Sequence, residues 1–261
     1  MNHLPKVKFV CPEVEREAKI LFNFCHQRPT GWDWSERIYK HHPELKQMLA
    51  QINLDDKDAF QETCLEYAKK YIKENEESIL AAQVTFQKEW DEVGDKYLQI
   101  LSEHFETNYP SDIEVIKAYV SISPICPRYL DNWSFAVNYN RPEYLKKVAT
   151  HEILHFLYFK KWLEVFPETT RKEMDSPYLV WKLSEIIAPI VLNYHPEIQK
   201  IVNVYSPGYK EFQDIEIFGK KLISYFEDLY KKHLASNDAF DQFLKTCWQS
   251  VDEAREIIEK I

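Results

Sequence analysis

The sequence predicts an α+β protein that is mostly α-helical, with one small sheet and a helical amino-terminal extension. The chain has only 4 glycines in 261 residues, while aromatic residues make up 15%. This composition favours long helices packed through Tyr, Phe and Trp over a turn-rich all-β design. β-Prone residues concentrate in one stretch after Tyr109-Pro110. We therefore expect a helical amino-terminal subdomain over residues 1–110 and a second domain over residues 111–261.

The amino-terminal region is predicted to consist of amphipathic helices. Apolar residues between Pro12 and Gln27 recur three or four positions apart, as on the buried face of a helix. A turn-rich stretch around Pro29 and Pro43 follows. The sequence pattern over residues 58–106 then predicts two long helices, or one helix broken near Gly94, with a strongly charged outer face.

The small sheet is predicted directly after this helical region. Residues 115–125 are rich in β-branched and aromatic side chains, and residues 135–139 alternate between larger and smaller or polar ones. These patterns predict two strands, joined through the connection from Pro124 to Trp133. The remaining segments are predicted to be helical, namely residues 141–163, 177–193, 197–233 and 238–261.

Charge and cysteine usage restrict the partners of the protein. A net charge of -9 and a pI near 5.6 disfavour binding to nucleic acid. The chain shows neither an apolar signal-peptide core in its first ten residues nor an apolar run of the ~20 residues that span a bilayer. Its 5 cysteines are widely spaced, with no Cys-x-x-Cys. We expect a cytoplasmic protein without a membrane partner; the sequence carries no signal for an oligomeric state.

The strongest chemical signal is the run His151-Glu152-Ile153-Leu154-His155. Because residues four apart lie on one face of a helix, His151 and His155 can bind the same metal ion. Glu152 is rotated by about 100° on that helix, which lets its carboxylate reach a water on the metal without becoming a ligand. The pattern therefore predicts a Zn²⁺ hydrolase centre with Glu152 as general base. The alternative is a pair of core histidines without a metal.

A third zinc ligand is predicted on a second helix. The segment from Tyr178 to Leu192 is almost wholly apolar, and Glu185 is its only acidic residue. A buried carboxylate needs a cation, which the histidine-bound metal would supply. With Asp175 or Ser176 as N-cap and Pro177 as the first helical residue, Glu185 would lie about two turns into this helix.

Other partners for these groups stay open. A buried cation such as Lys182 is the alternative partner for Glu185. Three other glutamates are rival ligands, but they occupy a charged stretch that is typical of a solvated helix end and loop; they are Glu164, Glu168 and Glu173.

Residues 148–157, read with Ser184-Glu185 about thirty positions later, resemble the gluzincin zinc metallopeptidases. Among these the chain is most similar to the minigluzincins, over residues 114–195. The resemblance implies a zincin-like core built from a small sheet, an active-site helix and a glutamate helix. It also implies zinc binding by His151, His155 and Glu185, with hydrolysis of a peptide or protein substrate.

The resemblance further implies an edge strand that binds substrate in extended form. Residues 134–139 would be that strand, and the backbone groups of Ala136 and Asn138 could pair with a peptide by strand addition. An ordinary core strand is the alternative. More than 100 residues precede the predicted sheet, beyond the minimal family core. The alternative function is thus a latent or non-hydrolytic zinc protein with a covered cleft, acting as a binding or regulatory module.

Overall fold

A computed structural model describes residues 3–27, 33–236 and 238–260. It confirms the α+β, mostly helical class, with a small sheet among many helices. The chain forms two compact units. The first, here the sheet unit, is formed within residues 6–92 and 115–149, and the second, the helical unit, within residues 1–5, 93–114 and 150–261. Neither unit is contiguous in sequence. The predicted division into domains 1–110 and 111–261 concerns parts that would fold independently, and it stays a prediction.

The sheet unit contains a four-stranded sheet of order β1-β2-β4-β3. Its strands are β1 (Lys6–Val10), β2 (Val115–Ser121), β3 (Arg128–Tyr129) and β4 (Ser134–Asn138). β1, β2 and β4 are mutually parallel, while β3 pairs antiparallel with β4. The two predicted strands are therefore confirmed as β2 and β4.

Strand β1 was missed by the sequence analysis. Val7 and Phe9 are buried, whereas Lys6 and Lys8 are exposed. This alternation has the period of a strand with one buried face. It spans only five residues, and the strand with which it pairs lies more than a hundred positions later.

The remaining elements of the sheet unit are helices. They are α1 (Val14–Phe22), α2 (Ser35–His41), α3 (Pro43–Leu49), α4 (Lys57–Glu74) and α5 (Glu76–Asp91). The predicted helix over residues 12–27 is confirmed with a later start, and its last turn, Asn23–Gln27, is a π-helix. The helical stretch after residue 57 is broken a first time at Asn75, whose side-chain amide donates to the Tyr71 carbonyl at 2.8 Å.

A buried carboxylate joins α1 to the end of β2 inside the sheet unit. The Oε2 atom of Glu17 accepts hydrogen bonds from the Ser121 hydroxyl at 2.6 Å and the Ile122 amide at 3.0 Å. Glu17 is 0% exposed, and this burial raises its pKa to about 7. Below pH 7 the neutral form of Glu17 is therefore favoured in the folded protein.

We expect Glu17 to make stability fall with rising pH. The pKa of Glu17 is higher in the folded protein than in the unfolded chain. Its contribution to stability is therefore fully present below the unfolded pKa of about 4.3 and is lost as the pH rises through 7. From pH 5 to pH 8 the loss should be on the order of 2 kcal/mol. Urea unfolding of Glu17→Gln should lack this part of the pH dependence, while the matched variant at exposed Glu15, Glu15→Gln, should keep it. Equal pH dependence in wild type and Glu17→Gln would contradict the assignment.

The first helix of the helical unit is α6 (Gly94–His104). The break near Gly94 was predicted, but the break at Asn75 was not, so the region forms three helices where two were expected. Helix α7 (Leu145–Val165) starts in the sheet unit and continues from residue 150 in the helical unit. The later elements are α8 (Leu179–Tyr194), α9 (Pro196–Val202), α10 (Lys210–Gln213), β5 (Glu216–Ile217), β6 (Lys220–Lys221), α11 (Leu222–Ser236), α12 (Phe240–Glu253) and α13 (Arg255–Ile258). Across the described residues, no helix is both long and apolar enough to cross a membrane.

Two predicted helix assignments were wrong in detail. The segment 197–233 is not helical throughout, since the irregular stretch 203–209 and the β5-β6 hairpin interrupt it. Gly208 and Gly219 adopt φ values of +69° and +72° there, and such positive φ angles are open to glycine without strain. Helix α8 begins at Leu179 and not at Pro177, because the Tyr178 amide closes a turn onto the Asp175 carbonyl before the helix starts.

Candidate metal centre

The active-site helix predicted around the histidines is α7, a helix of 21 residues. The side chains around the histidines form its buried face, each no more than 1% exposed: Ala149, Ile153, Leu154, Phe156 and Leu157. Burial of this apolar stripe holds the helix in a fixed orientation. Next to the first histidine, the Thr150 carbonyl accepts a hydrogen bond of 2.6 Å from the Tyr97 hydroxyl on α6.

Tyr97 was not singled out by the sequence analysis. Its ring is 0% exposed, and its hydroxyl reaches a helix 53 positions further along the chain. Burial also raises its pKa well above the usual value, so the hydroxyl keeps its proton and remains a donor. With sixteen tyrosines in the sequence, no local pattern distinguishes this one from its neighbours.

The glutamate helix is α8. Glu185 is its seventh residue, about two turns from the start, and is 1% exposed. Fourteen of the sixteen residues of α8 are buried, so Glu185 has no route to bulk water along its own helix. Lys182, the cation weighed as its partner, instead donates to the carbonyls of Ile258 and Glu259 at 3.0 and 3.1 Å.

The structure brings His151, His155 and Glu185 together. The two Nε2 atoms are 3.0 Å apart. The Oε2 atom of Glu185 lies 3.2 Å from His151 Nε2, and its Oε1 atom lies 3.5 Å from His155 Nε2. Among the described residues, these three form the one group of His, Cys, Asp and Glu side chains whose ligand atoms are close enough to share an ion.

These distances fit a zinc ion. Ligands about 2.0–2.1 Å from a tetrahedral zinc lie roughly 3.3 Å from one another. The three separations in the structure, 3.0, 3.2 and 3.5 Å, bracket that value. The donor set also fits, since two imidazoles and one carboxylate are the ligands of many catalytic zinc sites.

No family model, curated protein or solved structure matches the chain. The interpretation of the cluster therefore depends on its own chemistry. An ionised carboxylate at 1% exposure needs a positive partner. One cation bound by both imidazole nitrogens and the carboxylate satisfies all three groups. A hydrogen bond between the two imidazoles would satisfy only those two.

The cluster is not sealed on all sides. The side chain of His151 is 18% exposed, whereas those of His155 and Glu185 are 0% and 1% exposed. Part of the His151 side chain is therefore in contact with solvent. The cluster supplies three protein ligands, the number found in catalytic zinc sites, whereas structural zinc sites are closed by four.

Glu152 follows His151 in α7 and is 8% exposed. Its position in the helix is the predicted one, and its role as general base stays a prediction. Two of the rival glutamates have other partners in the helical unit. Glu164 accepts the Thr107 hydroxyl at 2.6 Å, and Glu173 forms a capping box with Thr170.

The strand predicted to bind substrate is β4, but it is not an edge strand along its whole length. Strand β3 pairs with its first two residues, and the Ala136 amide donates to the Pro127 carbonyl at 3.0 Å. The Asn138 carbonyl accepts from the Arg141 amide at 3.3 Å. These backbone groups of Ala136 and Asn138 are therefore engaged within the chain, and their pairing with a peptide stays a prediction.

Proposed function

We propose that the protein is a zinc-dependent metallopeptidase of the cytoplasm, related to the gluzincins. The convergence of His151, His155 and Glu185 at the spacing of zinc ligands carries this proposal. Glu152 favours a hydrolytic role over the other chemistry that a site of two histidines and one carboxylate can perform. This second acid adjoins the first ligand, has little exposure and is not part of the ligand group.

The reaction would be hydrolysis of a peptide bond without a covalent enzyme intermediate. When bound by His151, His155 and Glu185, zinc would polarise the scissile carbonyl and lower the pKa of a water toward ~7. Glu152 takes a proton from the attacking water and delivers it to the leaving amine as the C–N bond breaks. The carbonyl carbon gains the oxygen, and Glu152 ends in its initial charge state.

A latent or regulatory zinc protein is the second candidate. It is favoured by the hydrogen bond from the Ala136 amide to the Pro127 carbonyl, because the chain itself occupies the donor predicted for the substrate. In that case a peptide would have to displace residues 127–129 from β4 before it could pair there.

Metal analysis combined with digestion of a peptide library tests the proposal. We expect about one zinc per chain, as for a catalytic zinc site, and cleavage that is lost after chelation and restored by added zinc. Zinc without any cleavage would support the latent protein and overturn the peptidase. A protein that binds no zinc after reconstitution would contradict both candidates.

A further inference from the structure

The sheet unit contains a cavity of about 260 Å³ whose lining includes none of the three proposed zinc ligands. Its lining comes from four parts of the unit: α2, the chain after β2, β4, and the segment from Arg141 to Val148. Tyr144 is 40% exposed and Arg37 is also exposed, so the cavity opens to solvent. Its volume is just below the range of typical ligand pockets, which suits a small molecule.

Three cations line the cavity: Arg37, Arg141 and Lys147. No Asp or Glu is among its described lining residues. The chain as a whole has 42 acidic and 33 basic residues. A cavity whose charged lining residues are all basic therefore differs from the overall composition. The summed positive potential of three cationic residues around one cavity favours an anion over a neutral ligand or a metal ion.

Each of the three cationic groups lies near an aromatic ring. The guanidinium of Arg141 lies 4.5 Å from the centre of the Tyr144 ring, and the ammonium of Lys147 lies 5.8 Å from the same ring. The guanidinium of Arg37 lies 5.8 Å from the Trp34 ring. Arg141 also pairs with Glu143 at 2.9 Å. Both groups of that pair are largely exposed, so it is weak and a ligand can compete with it.

Burial lowers the pKa of Lys147, since its ammonium is partly removed from water. A bound anion would offset this cost. Two guanidinium groups and one ammonium match a dianion better than a monoanion, and arginine binds phosphate through paired N–H donors. Val137 and Leu145 supply an apolar wall beside these charges, so the ligand carries an apolar group as well.

We propose that this cavity binds a small organic phosphate: a dianionic head between Arg37, Arg141 and Lys147, and an apolar group against Val137 and Leu145. None of the three proposed zinc ligands lines the cavity, although Lys147 lies one turn before His151 on α7 and Asn138 belongs to the strand predicted to bind substrate. The proposal does not depend on the peptidase assignment.

Isothermal titration with phenyl phosphate tests the site, with the protein first freed of metal so that the anion cannot bind zinc. We expect saturable binding to the wild type and a loss of affinity of about tenfold or more in Arg37→Gln and in Lys147→Gln, the usual cost of a charge-assisted hydrogen bond. Lys146→Gln makes the same charge change beside the cavity, at a residue that does not line it, and should lose less than threefold.

Two further probes define the ligand class. Benzoate should bind more weakly than phenyl phosphate, and neutral benzyl alcohol should not bind. Equal affinities for benzoate and phenyl phosphate would contradict the preference for a dianion. Equal losses of affinity in Lys146→Gln and Lys147→Gln would contradict the location of the site. Arg37→Lys keeps the charge at an exposed position and should fold normally, yet it should bind phenyl phosphate more weakly than the wild type. Zinc content of all four variants should equal that of the wild type, which separates this test from the test of the peptidase.

Discussion

Replacing Glu152 by glutamine is expected to abolish most peptide cleavage while leaving zinc in place. Glutamine has the shape of glutamate but cannot accept a proton from the attacking water at neutral pH. Loss of a general base costs roughly 10²–10⁴-fold in rate. Glu152 is not part of the ligand group, so zinc content should stay near that of the wild type. The measurement is kcat/KM on a peptide selected from the library, together with metal analysis of the same preparation.

A matched control for this variant is Glu168→Gln. Glu168 is an exposed glutamate of the same unit, so the change in charge is identical but lies on the surface. Its activity should remain within about twofold of the wild type, as for most surface substitutions. Unchanged cleavage in Glu152→Gln would exclude Glu152 as the base and would require another acid or base at the centre.

Replacing His155 by alanine is expected to eliminate stoichiometric zinc. His155 is fully buried and its Nε2 atom is within 3.5 Å of both other ligand groups. Loss of a direct ligand should cost more than the ~10–100-fold in affinity that follows loss of an outer partner. Added zinc should raise the melting temperature of the wild type through linkage, by an amount equivalent to about 4 kcal/mol at a thousand times the dissociation constant. The variant should show almost no such shift.

The control for His155→Ala is His41→Ala, which removes an exposed histidine from α2. It should bind zinc as the wild type does and show the same zinc-dependent rise in melting temperature. Should His155→Ala retain one equivalent of zinc and full thermal protection, the proposed ligand set would be wrong. Comparison with metal-free wild type separates loss of zinc from a general loss of folding.

The parts of the fold that depend on local pattern were predictable from the sequence. Helices α7 and α8 follow from long apolar runs without glycine, and strands β2 and β4 follow from β-prone composition. Strand β1 is different, because five residues with two exposed lysines acquire their structure from pairing with β2. Intrinsic strand preference is weak compared with such tertiary context.

The convergence of His151, His155 and Glu185 was predictable for the same local reason, and the grouping of the residues around the proposed anion site was not. His151 and His155 are four residues apart on one helix, and Glu185 is the only acid in an apolar segment. The lining of the cavity joins Arg37 to residues a hundred positions later. Arg37 and these residues are too far apart in the sequence for a local pattern to connect them. Their proximity follows only from the three-dimensional arrangement of the unit.

Helix α8 contains two buried charges of opposite sign, and each is compensated by a different part of the chain. Glu185 faces the histidines, while the ammonium of Lys182, one turn earlier, donates to the carbonyls of Ile258, the last residue of α13, and Glu259 just after it. Removing the final few residues would leave that ammonium without its acceptors inside an apolar helix that also carries a proposed zinc ligand. An affinity tag at the carboxyl terminus is therefore best joined through a linker, with α13 left intact, if zinc content is to be compared between preparations.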